Sequence, residues 1–105
     1  MELSKLIFPF PEENYLLDIF EKTEDNINIR CGTAFLKAGD VLPYKTLEYY
    51  EISYMLSGKA IVYNKNNEKA EMNSGDLIYI HKDEIRETVI LEDSKILFFL
   101  FKTNL

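Results

Sequence analysis

Histidine and cysteine are almost missing from this sequence: 105 residues hold one His, at position 81, and one Cys, at position 31. A single thiol excludes an internal disulfide and fits a reducing compartment, so a cytoplasmic protein is expected. One imidazole with one carboxylate also makes a poor metal site, and Cys31 reads as a small buried hydrophobe rather than a catalytic thiol. Basic runs are missing too. No two of the 12 Lys and Arg are adjacent, and against 18 Asp and Glu they leave a formal charge of −6. Binding a nucleic-acid backbone needs a basic face, so this chain alone should bind neither DNA nor RNA. Long apolar runs do not occur. The opening MELSKLIFPFPEEN carries a four-residue apolar patch broken by Pro9 and Pro11, too short for a signal peptide or a membrane span.

What is present is core material. Hydrophobic residues make up 47% of the chain, including seven Tyr and seven Phe, and the length suits one domain. Residues 1–13 read as an extended arm, because Pro9 and Pro11 fix φ and remove two amide donors; residues 14–105 read as a single domain. From Tyr15 onward, β-branched and aromatic residues are interrupted every eight to twelve positions by turn formers. These are Glu24–Asn26, Ala38–Asp40, Ser57-Gly58, Asn64–Asn67, Asn73–Asp76, His81–Glu84 and Glu92–Ser94. Such spacing predicts an all-β sandwich or barrel. Strands are expected near 15–22, 27–37, 49–56, 59–64, 68–72, 76–80, 85–91 and 95–102, with YNKNNEK as a hairpin turn. ISYML and ILFFLF are apolar at both parities, as in strands covered on both faces. The second cover is either the arm or a partner subunit. No segment sustains a 3.6-residue period, so no helix-turn-helix is expected.

One spacing carries more. Gly39 is followed after five residues by Lys45-Thr46-Leu47, after three more by Glu51, and after six more by Gly58. Farther on stand Gly75-Asp76, His81-Lys82-Asp83 and Arg86. This pattern resembles the two motifs of the cupin family, which together span Gly39 to Ile90. In that family a glycine, a His-x-His pair, a glutamate and a second glycine are followed by a Gly-Asp turn, a Pro-x-Gly segment and a last metal-binding histidine. The resemblance implies a double-stranded β-helix, the cupin or jelly-roll barrel. It also implies that Lys45, Leu47, Glu51 and Arg86 stand where the metal ligands would be. Leu offers no donor and Arg does not give up its proton, so neither a metal nor another cofactor is expected.

A narrower resemblance lies in EYYEISYMLSGKAIVYN, NSGDLIYIHKDEIRETV and ILFFLF. It is similar to the effector-binding, dimerising N-terminal domain of AraC-type transcription regulators, a metal-free cupin barrel with a proline-containing arm. That resemblance implies ligand sensing and a homodimer, with the DNA-binding half lying outside these 105 residues.

Within this frame Lys45, Glu51 and Arg86 form a polar cluster facing the barrel interior, and Ser53, Met55 and Thr88 share its parity as pocket walls. An Arg fork and a Lys charge suit a small polar or anionic ligand such as a sugar or carboxylate. The competing reading is an internal ion-pair network of Glu51 with Lys45 and Arg86 in a vestigial pocket. Tyr44, Tyr49, Tyr50, Tyr54, Tyr63 and Tyr79 read as strand packing with rim hydroxyls, or else as sugar-stacking platforms. His81, at the Pro-x-Gly position, reads as a rim residue. A metal-independent isomerase or lyase and a purely structural dimerisation module remain the alternatives to a binding domain.

Overall fold

The computed structural model describes residues 1–104. It contains seven strands: β1 (Leu16–Glu24), β2 (Ile27–Leu36), β3 (Val41–Lys45), β4 (Tyr50–Asn64), β5 (Lys69–Asn73), β6 (Leu77–Ile80) and β7 (Arg86–Thr103). Among the described residues no helix is long and apolar enough to cross a membrane. All pairings are antiparallel. The seven strands form one continuous sheet. In it β4 and β7 run side by side and bend from one face of the barrel to the other, so that each serves in both faces, the two sheets of the barrel. The first half of β4 and the second half of β7 lie with β1, β2 and β6 in a five-stranded sheet. Their other halves lie with β3 and β5 in a four-stranded one. The expected all-β jelly-roll barrel is the observed fold.

The sequence pattern placed breaks at Ser57-Gly58 and Glu92–Ser94, but β4 and β7 continue through both. These are corners within strands, where the register slips between Met55 and Ala60. Gly58 has φ +115, and a Cβ there would collide with Ser94 and the Asp93 carbonyl, so only glycine lets the two corners nest. Ser94, fully buried, accepts from the Lys59 amide at 3.2 Å and donates to the Glu92 carbonyl at 2.7 Å. Asp93 accepts from the Ala38 amide at 2.9 Å, and that bond, with Lys37, holds its carboxyl below the usual carboxylate range. A bend without a turn looks in sequence like two strands. Strand β3 was not expected at all, because Pro43 interrupts its pattern. It is tolerated there since β3 is an edge strand paired only to β7, with an irregular register between Leu42 and Lys45.

Local chemistry sets the hairpins. Asp25 and Asn26 both have positive φ (50 and 65), which a two-residue connection between twisted strands requires. Asn64 closes the β4–β5 turn by accepting from the amides of Asn66 and Glu68. Residues of the N-terminal segment touch the outside of the five-stranded sheet: the Thr33 hydroxyl donates to the Ile7 carbonyl, and Lys95 sits 5.3 Å from the Phe8 ring centre.

Strand register stacks the inward side chains in three levels. The first joins Arg30, Leu100, Glu51 and Ile80 across one sheet, and Lys45 and Arg86 across the other. The second holds Phe98, Ser53 and Ile78, facing Leu42, Thr88 and Val62. The third holds Ala34, Ile96 and Met55 opposite Ile90, Ala60 and Met72. Met55, Ala60 and Ile90 are almost wholly withdrawn from solvent, so the third level is the closed floor of the barrel.

Candidate functional site

Above that floor a cavity of about 390 Å³ opens between the sheets. Its polar centre is Arg86, only 6% exposed. One guanidinium nitrogen donates to Glu51 Oε1 at 2.7 Å, and Ser53 donates to Glu51 Oε2 at 2.7 Å. Both carboxylate oxygens of Glu51 are thereby engaged. Arg86 is not saturated, since a guanidinium has five N–H donors and one bond is made. Among the described residues the only sealed side-chain polar atom without a partner is Asn28 Oδ1. No unpartnered Arg86 nitrogen is sealed, and Arg86 lines both the main cavity and an adjoining one of about 210 Å³.

Lys45 stands in register with Arg86 on β3, lines the main cavity and is exposed at its rim. Among the described residues it makes no ion pair. Glu51 has chosen Arg86 alone, so the expected three-residue network is a pair. Thr88 and Ser53 line the cavity at the second level. Met55 does not. It has the expected parity, but one level deeper, where it packs with Ala34, Leu36, Ala60, Met72 and Ile90 as floor.

Two charged lining residues carried no motif. Arg30 donates to Asp18 Oδ1 and Oδ2 at 2.9 and 3.1 Å, and both residues face the cavity from β2 and β1. The Asp18 bond holds the Arg30 guanidinium above its usual range. Alternation could have found Arg30, since it shares parity with Gly32, Ala34 and Leu36, the inward set of β2. The tyrosines also divide unexpectedly. None of the six singled out lines the main cavity, whereas Tyr15 does; Tyr63 and Tyr79 line the smaller one. Tyr50 and Tyr79 stack on the outer sheet face with Phe101.

His81 is on the rim and lines neither cavity. Its Nδ1 lies 2.6 Å from the Lys82 carbonyl oxygen and its ring meets Tyr50 edge-on at 5.1 Å. Asp83 has φ 65, the left-handed conformation that glycine supplies in a Pro-x-Gly segment. The donor set does not fit a transition metal. Glu51 is the one carboxylate at the four ligand positions and is held by Arg86, and among the described residues no three His, Cys, Asp or Glu side chains converge.

No family model matches this sequence, and no curated protein does. Solved structures do resemble it. A cupin superfamily protein from Desulfitobacterium hafniense superposes with a TM-score of 0.63 at 15% identity, covering 83% of this chain and 77% of that one. An ethanolamine utilization protein Q from Salmonella typhimurium gives 0.65 at 22% identity, covering 85% and 69%. The EutQ protein of Clostridium difficile gives 0.71 at 23% identity, where the match covers 86% of this chain and 63% of that protein. At these identities the likeness shows the cupin fold.

Proposed function

We propose that this chain is a metal-independent ligand-binding barrel that takes a small polar or anionic molecule at Arg86 and Lys45. One observation carries the reading: a guanidinium 6% exposed, committed to Glu51 through a single bond, in the wall of a cavity of about 390 Å³. Unpaired donors on a buried cation are costly unless water or a ligand completes them. A vestigial ion pair would need no such cavity. The enzyme alternative loses its acid-base candidate, because His81 does not face the pocket.

A sensing role, like that of the effector half of an AraC-type regulator, draws on the Tyr50–Gly58 strand pattern and on one feature of the cavity. Asn14, Tyr15 and Leu16, which follow residues 1–13 directly, line it. A ligand can thus favour one arm position over another, which sensing requires. The proposal includes a homodimer, with a second copy on the outer face of the five-stranded sheet. Leu77 and Tyr79 are exposed there by 66% and 58%, beside Tyr54 and Phe99.

The test is calorimetric titration against neutral sugars, sugar acids and carboxylates, with and without EDTA. A member of the panel binds at one site per chain, EDTA changes nothing, and hydrogen exchange of residues 1–13 slows on binding. Absence of binding across the panel by folded protein refutes the binding reading; unchanged arm exchange refutes the sensing role.

A further inference from the structure

We infer that the ligand is an amphiphilic monocarboxylate: one anionic head on an apolar body of roughly seven to ten carbons, as many as the cavity volume admits. The inference rests on the binding reading above and narrows it from any polar molecule to this class. Polarity falls off level by level down the barrel. Four charged side chains, Arg30, Lys45, Glu51 and Arg86, stand at the first level. The second has the hydroxyls of Ser53 and Thr88 and, at its β1 edge, the Asp18 carboxylate bonded to Arg30, among Leu42, Val62, Ile78 and Phe98, and the Ser53 proton is already committed to Glu51. The third is wholly apolar.

A sugar carries a hydroxyl on nearly every carbon. Placed with one end at Arg86, it would press several of those hydroxyls against Leu, Ile and Phe side chains with no partner, and each such loss is unfavourable. A chain of methylenes meets the same walls favourably. The head is a monoanion by count. Three cations and two carboxylates line the cavity, and Arg30 is engaged by Asp18 as Arg86 is by Glu51. The surplus is the charge of Lys45, beside the free donors of Arg86. No cation stands at the lower levels to receive a second carboxylate. Size agrees as well: about 390 Å³ holds on the order of a dozen non-hydrogen atoms at roughly the 30 Å³ that one water occupies in the liquid.

Calorimetry of the whole chain with octanoate, octanamide, gluconate and glucose tests this. Octanoate binds saturably at one site, and octanamide, which keeps the body and loses the charge, binds at least tenfold more weakly. Lys45→Glu, an exposed and unpaired position, weakens octanoate at least tenfold. Val62→Phe, which narrows the second level, does the same while both variants keep a cooperative melting transition. Octanamide binding as tightly as octanoate, or octanoate unaffected by either substitution, overturns the inference. Gluconate or glucose binding while octanoate stays silent overturns the ligand class and leaves the binding reading standing. Silence of all four overturns both.

Discussion

Arg86 and Glu51 put opposite charges where water barely reaches, with side-chain exposures of 7% and 17%. Neither would be tolerated there alone. Arg86→Met leaves an uncompensated carboxylate in the barrel and should destabilise the fold by about 3–5 kcal/mol, whereas Glu51→Leu with Arg86→Met should recover most of that loss. Urea denaturation of both variants checks this, and equal stability of the single and double variants would refute the pairing. The positions of these residues were readable from motif spacing. Which cation Glu51 takes was not, because sequence offers Lys45 and Arg86 on equal terms. Side-chain placement decided it: Arg86, from a central strand, is buried, and Lys45, from an edge strand, reaches the rim.

At the scale of elements, β4 and β7 matter most, since each crosses from one sheet to the other. Their corners interlock at Gly58 and Ser94, which keeps Glu51 and Arg86, in different sheets, within hydrogen-bond reach. Gly58→Ala forces a side chain into a positive-φ position against Ser94 and should cost at least about 1–3 kcal/mol. The measurement is a lowered urea midpoint with unchanged m-value; an unshifted midpoint would mean that the corner is not tightly packed. The glycine itself was conspicuous in the sequence. Its work was misread as ending a strand because turn and corner use the same residue, and only the pairing across the chain distinguishes them.

For the whole molecule, the outer face of the five-stranded sheet is the proposed meeting place of two copies. Leu77, Tyr79, Tyr54 and Phe99 are exposed on it, and residues of the arm touch the same sheet near Thr33. Sedimentation equilibrium should show a dimer that Leu77→Glu with Tyr79→Glu converts to monomer without loss of β-structure by circular dichroism. A wild-type monomer at tens of micromolar would remove the dimer from the proposal. Apolar residues at both parities announced this face in advance. They could not tell the arm from a partner as its cover, because both would be written with the same residues.

Legible in the sequence were the all-β class, the turns between separate strands and the charged replacements at the ligand positions of the cupin pattern. Those follow from local rules: backbone preference, period-two alternation and the chemistry of each side chain. The folded chain was needed to show that Met55 is floor rather than wall, that Asp18 meets Arg30 at the cavity, and that Tyr15 lines it instead of the conspicuous tyrosines. These depend on depth and on which strands become neighbours. Parity gives the side a residue faces; only pairing between distant strands gives the level at which it stands.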